Sequence, residues 1–252
     1  MAETAKIALV TGGGSGIGRA AAKALLSAGW TVVVTGRRQE ALDETLREAG
    51  AGEGQGLAMA ADVADAGAVE ALFAEIEKRF GRLDLLFNNA GTGSSAATID
   101  EIPVETFRRV IDVNVTGSFL CARAAFALMR RQRPQGGRIV NNGSISAHAP
   151  RVGSVPYTTS KHAITGLTKT LALDGRAFDI ACGQIDIGNA ATELATAMVK
   201  GVPQASGLVV AEPTMAAEEV GEAILHMASL PLSTNVLFMT IMATKMPFVG
   251  RG

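Results

Sequence analysis

The chain contains a single tyrosine, and it stands four positions before a lysine: Tyr157-Thr158-Thr159-Ser160-Lys161. On a helix this spacing puts both side chains on one face, about 5–6 Å apart. The ammonium favours the phenolate over the phenol, so the pair is suited to acid–base work near neutral pH. Taken alone, the motif is also a common surface neighbour pair. Its chemistry depends on what other segments bring beside it.

A second segment is Thr11-Gly12-Gly13-Gly14-Ser15-Gly16-Ile17-Gly18, which follows a strand-like run and opens a helix. Glycines there let the backbone approach a pyrophosphate, and a helix N-terminus offers unpaired N–H groups and a positive dipole end. The spacing is G-x-x-x-G-x-G rather than the commoner G-x-G-x-x-G. An NAD-binding unit would carry an acid about 20 residues on, for the ribose 2′-hydroxyl. Here the second strand ends Gly36-Arg37-Arg38. Arginine at that point suits a 2′-phosphate, and hence NADP rather than NAD; the plainer reading is two solvated arginines at a helix start. Asp62-Val63 ends the third strand, where the carboxylate either meets an adenine amino group or caps the next helix. Asn88-Asn89-Ala90-Gly91 ends the fourth, at the carboxyl edge where open α/β sheets bind ligands.

The rest of the chain must position these segments. Strand patterns at 6–10, 31–35, 56–60, 83–87, 137–142, 177–183 and 235–240 alternate with helical patterns. The helices run from the glycine turn to 28 and over 39–49, 66–79, 104–131, 155–173 and 216–228. Such alternation predicts a Rossmann-like α/β fold: a doubly wound parallel sheet of about seven strands with helices on both faces. One domain spans 1–252, and 189–213 breaks the rhythm as a lid. Hydrophobic residues make up 48% of the chain, enough for a large core, and the 29 glycines suit tight turns. A net charge of −1 gives no footing for nucleic acid. Two isolated cysteines support neither a disulfide framework nor a metal site, which points to a reducing cytoplasm. The first residues lack a signal-peptide pattern, and no apolar run reaches the roughly 20 residues of a membrane span.

Taken together, Thr11–Gly18, Asn88–Gly91, Asn114, Ser144 and Tyr157-x-x-x-Lys161 resemble the short-chain dehydrogenase/reductase family in its single-domain form, over nearly the whole chain. The resemblance implies a catalytic tetrad of Asn114, Ser144, Tyr157 and Lys161. Tyr157 would exchange the proton with a carbonyl oxygen, and Ser144 would hydrogen-bond that oxygen; Ser146 is a nearby alternative at the wrong spacing. Lys161 would assist Tyr157 and bind the nicotinamide ribose, and Asn114 would hold a water leading to solvent. Thr11 would brace the Asn88–Gly91 segment. The cofactor would lie along Gly12, Gly14, Ser15, Gly16, Ile17 and Gly18, with Arg37, Arg38, Asp62 and Val63 at its adenosine end. Asn89, Ala90, Gly91, Gly188 and Thr192 would complete the cradle. Ile187 stands where the family usually has proline, and the 238–248 segment replaces its usual glycine-rich end with an apolar tail.

These features imply an oxidoreductase that moves a hydride between NADP(H) and a small carbonyl or secondary-alcohol substrate. The alternative is a non-catalytic NADP(H)-binding redox sensor. The resemblance also implies a homo-oligomer, dimer or tetramer, built on helices 104–131 and 155–173, and the apolar tail is expected to be buried, with a neighbouring subunit as one place for it to pack. Around the substrate, His148 and Arg151 read either as solvated loop residues or as hooks for an anionic group.

Overall fold

The structure is a computed structural model describing residues 5–192, 201–204 and 206–249. The chain alternates β1 (Ile7–Thr11), α1 (Gly16–Ser27), β2 (Thr31–Gly36), α2 (Gln39–Glu48), β3 (Gly56–Ala60), α3 (Ala66–Phe80) and β4 (Leu85–Asn88). It continues with α4 (Val104–Ile111), a π-turn over Asp112–Thr116, α5 (Gly117–Arg131), β5 (Gly137–Asn142), α6 (Val155–Asp174) and β6 (Ile180–Ile187). After the short strands β7 (Val202–Pro203) and β8 (Val209–Val210) come α7 (Ala217–Ser229) and β9 (Phe238–Ile241).

Seven strands form one sheet in the order β3-β2-β1-β4-β5-β6-β9, with every pairing parallel. β1 reads Ile-Ala-Leu-Val-Thr and is buried along its length, as a strand covered on both faces must be. Alternate residues serve opposite layers. Ala8, Val10, Val32 and Val34 pack under α1 and α7, with Leu25, Val220 and Ile224. Leu9, Val33 and Leu86 pack against α3 and α5, with Leu72, Ile76 and Leu128. α1 and α7 approach so closely that a Cβ on Gly221 would lie 2.7 Å from the Ala20 carbonyl oxygen. The strand order reverses between β1 and β4, which opens a crevice at their carboxyl ends.

Some elements depart from the sequence pattern. The sixth strand, expected at 177–183, runs Ile180–Ile187. A 3₁₀ turn over Gly175–Phe178 comes first, and Asp179 takes a left-handed φ of 53° before the strand begins. Gln184 and Asp186 are therefore fully buried strand residues. Within 189–213, β7 and β8 pair antiparallel, and Ala190 bridges Met215; residues 193–200 and 205 of the expected lid lie outside the described residues. The helix expected at 104–131 is interrupted by the π-turn. By length and composition this 28-residue rod, with a window of mean hydropathy 1.3, is the one described helix that could cross a membrane. Its apolar stripe of Cys121, Ala125, Leu128 and Met129 is buried in the core facing the sheet.

The apolar tail packs in part on its own chain, while Phe238 remains exposed. Ala243 and Met246 join the core, and Met242 and Met246 pack under Gly188. Arg138 is a buried cation on β5, held by the carbonyls of Leu230, Pro231 and Thr234 and by Asn235 Oδ1 at 2.9–3.2 Å. It fastens the turn between α7 and β9 to the sheet.

Candidate active site

The glycine turn after β1 has the close approaches its sequence requires. Gly12 and Gly16 have φ of 65° and 51°, where a side chain is strained. A Cβ on Gly18 would fall 2.2 Å from the Gly12 carbonyl oxygen. Ser15 precedes α1 without a side-chain bond to the helix, and α1 has no acid in its first turn, so the positive helix end faces the crevice.

Thr11 ties this turn to the end of β4. Its Oγ1 accepts from the backbone N–H of Asn89 (2.8 Å) and Ala90 (2.9 Å). Asn89 Nδ2 returns a bond to the Thr11 carbonyl at 2.8 Å. The connection continues outward: Asn142 Nδ2 donates to Asn89 Oδ1 at 2.7 Å, and Lys161 Nζ donates to the Asn142 carbonyl at 2.7 Å. A chain of hydrogen bonds thus links the glycine turn to Lys161.

α6 begins with Pro156 in its first turn, where a missing N–H costs nothing. That start puts Tyr157 and Lys161 one turn apart, with Lys161 Nζ 5.5 Å from the Tyr157 ring centre. Ser144 leads a 3₁₀ turn over Ile145–Ala147, and its Oγ accepts from Ser146 N–H at 3.1 Å. Ser144, Ser146, Tyr157 and Lys161 line one cavity of about 680 Å³ together with Gly12, Ser15, Gly16, Ile17, Gly18, Asn89, Ala90, Gly91, Gly188 and Thr192. Asn114 lies behind that wall, in the π-turn, an element that often marks a functional kink. Its amide is bonded to Thr92 N–H and C=O (2.7 and 2.9 Å) and to Ser160 Oγ (3.0 Å).

A second cavity of about 220 Å³ shares Gly12, Ser15, Ala90 and Gly91 with the first and adds Gly14, Arg37, Arg38, Asp62 and Val63. Arg37 and Arg38 form no ion pair among the described residues. Asp62 does not cap α3: Asp65 does, accepting from Gly67 and Ala68 N–H, while Asp62 Oδ1 accepts from Ala64 N–H.

On the substrate side, Arg151 is not available as a hook, whereas His148 stays exposed on its loop. Arg151 is bonded to Glu212 through both guanidinium NH groups at 2.9 and 2.6 Å, and to Asn189 Oδ1 at 3.0 Å. His148 Nε2 meets Asp186 Oδ2 at 2.8 Å. The residues that sequence reasoning missed are Asn142, Asp186 and Glu212. Asn142 holds Lys161 through a backbone carbonyl, which any residue type supplies. Asp186 carries a signal, a charge inside an apolar strand, but the sequence pattern ends that strand at 183 rather than at Ile187.

A family model described as short chain dehydrogenase matches residues 6–202. A 3beta-hydroxysteroid dehydrogenase of Mediterraneibacter gnavus is 42% identical over 183 residues, which cover 71% of this chain and 64% of that protein. The 3-ketoacyl-(acyl-carrier-protein) reductase of Brucella melitensis, solved with NADH, superposes with a TM-score of 0.84 at 26% identity, covering 95% of this chain and 98% of that one. A variant actinorhodin polyketide ketoreductase solved with NADPH superposes with a TM-score of 0.85 at 28% identity, covering 96% and 97%. With seven parallel strands, the glycine turn and the Tyr157–Lys161 pair on one crevice, the chain belongs to the short-chain dehydrogenase family.

Proposed function

We propose that the protein is an NADP(H)-dependent oxidoreductase acting on a carbonyl/secondary-alcohol pair. The observation that carries this reading is that Ser144, Tyr157 and Lys161 share one cavity wall with the glycine turn. The turn fits a dinucleotide, because Gly12, Gly16 and Gly18 present bare backbone to the cavity and are packed too closely on the chain around them to admit side chains. The bound cofactor supplies or accepts the hydride.

The protein's own groups bind, orient and move the proton. Tyr157 gives its phenolic proton to the carbonyl oxygen in reduction and takes it back in oxidation. A hydroxyl offers one donor hydrogen and two acceptor sites. Ser144 Oγ accepts from Ser146 N–H, which leaves its hydrogen for the substrate oxygen. Lys161, fixed by Asn142, keeps a positive charge beside Tyr157 and offers its remaining N–H groups to the nicotinamide ribose. The spare acceptor capacity of Asn114 Oδ1 holds a water through which the proton reaches solvent.

Arg37 and Arg38 favour the 2′-phosphate of NADP over NAD. The substrate end is walled by Ala96, Ile145, Val152, Val202 and Pro203, and Arg151 is neutralised by Glu212. Both features favour an uncharged carbonyl. Phe107, Phe119 and Leu173 leave apolar surface exposed on α4, α5 and α6, which supports a homo-oligomer built on that face. A cytoplasmic setting, with its supply of reduced dinucleotide, suits the activity.

The test is NADPH oxidation over a panel of neutral and anionic aldehydes and ketones, with Tyr157→Phe as control. Turnover on neutral members, lost in the variant, is expected. Full turnover in Tyr157→Phe would reject the mechanism.

A further inference from the structure

The carboxylate of Asp186 sits directly beneath Ser144. β6 carries it to a position with no solvent exposure, yet donors reach both of its oxygens. Oδ1 accepts from the Ser144 backbone N–H at 3.0 Å and from Gln184 Nε2 at 2.7 Å. Oδ2 meets His148 Nε2 at 2.8 Å. A buried carboxylate is costly unless it is bonded in this way.

Gly143 makes the arrangement possible. A Cβ there would lie 2.0 Å from Asp186 Oδ1 and 2.6 Å from Gln184 Nε2. Gln184 is itself held by α6. Its Nε2 donates to Thr165 Oγ1 and its Oε1 accepts from Thr168 Oγ1, each at 3.1 Å. The same helix carries Tyr157 and Lys161. One continuous set of bonds therefore joins the backbone of Ser144 to the helix of the proton-transfer pair.

We propose that Asp186 is a positioning residue. By accepting the Ser144 N–H, and through Gln184, it sets the turn that aims the Ser144 hydroxyl at the carbonyl oxygen. This rests on the role of Ser144 given above. Ser144 is held at two points, the backbone N–H by Asp186 and Oγ by Ser146 N–H, so its hydroxyl is fixed in place with its donor hydrogen still to give. A misplacement of about 1 Å at such a group costs roughly 10²-fold in rate.

The test is a double-mutant cycle of Asp186→Ala and Ser144→Ala on one neutral ketone, with Asp186→Asn alongside and NADPH affinity measured for each protein. Ser144→Ala comes first: if it keeps full turnover, the reading of the site fails, whatever Asp186 does. Given a loss there, Asp186→Ala is expected to lower kcat by about tenfold or more with NADPH affinity unchanged. It is expected to have no further effect in the Ser144→Ala background. Asp186→Asn keeps an oxygen for the Ser144 N–H and should retain most of the turnover. If Asp186→Ala does not fold, Asp186→Ser takes its place with the same expectation. Wild-type kcat in the Asp186 variant, an equal loss in both backgrounds, or a parallel loss of cofactor binding would overturn the proposal.

Discussion

Lys161 donates its ammonium to the Asn142 carbonyl at 2.7 Å while standing 5.5 Å from the centre of the Tyr157 ring. The cation is held from the end of β5 as well as by its place on α6, so a change in either element moves it. An ammonium is a compact donor with three rotatable N–H groups, whereas a guanidinium is a planar fork. Lys161→Ala and Lys161→Arg are both expected to lower kcat, by about 10²-fold or more, the range of acid–base assistance. Steady-state turnover at saturating NADPH checks this. Near wild-type turnover with arginine would show that charge alone is needed and that the Asn142 bond is incidental.

The adenosine end can be tested separately from the chemistry. Arg37 lines the smaller cavity with Gly36, Asp62 and Val63 and forms no ion pair among the described residues. A hydrogen bond to a charged group contributes about 1.5–3 kcal/mol, which corresponds to roughly 10- to 100-fold in affinity. Arg37→Ala should therefore weaken NADPH binding by about that factor and leave NADH nearly unchanged. Titrating both cofactors by fluorescence checks it. Equal effects on the two would mean that Arg37 does not read the phosphate.

Local chemistry made much of the site legible. Gly12, Gly16 and Gly18 announce a turn that only glycine fits, and the strand and helix around them give it a ligand. Tyr157 and Lys161 are set by helix period alone. What stayed hidden depends on distance along the chain or on backbone atoms. Arg151 and Glu212 are 61 residues apart, and nothing in either neighbourhood marks the other as its partner. The Asn142 carbonyl has no sequence signature. The start of β6 is hidden because Ala177 and Phe178 look strand-like, while Gly175 and the left-handed Asp179 turn the chain first. With the strand expected to end at 183 rather than at Ile187, Asp186 falls in a loop instead of beneath Ser144.

The Arg151–Glu212 pair predicts an acid-dependent stability term. Burial alone would raise the Glu212 pKa, but hydrogen bonds from Arg151, Asn189 and Gln204, with the guanidinium charge, outweigh it and bring the pKa down to about 2 from 4.5. The folded protein thus prefers the carboxylate more than the unfolded chain does. The resulting stability is present above about pH 4.5 and is lost as pH falls toward 2. Glu212→Gln leaves the Arg151 cation without its anion, which for a buried pair costs about 3 kcal/mol or more. Its Tm should fall below that of the wild type by several degrees at pH 7. The gap should hold down to about pH 4.5 and then narrow as the wild-type Glu212 takes up its proton. Thermal unfolding of both proteins from pH 7 to pH 3 checks this, and a gap that does not narrow would mean that the carboxylate charge is not what ties Glu212 to the loop before Tyr157.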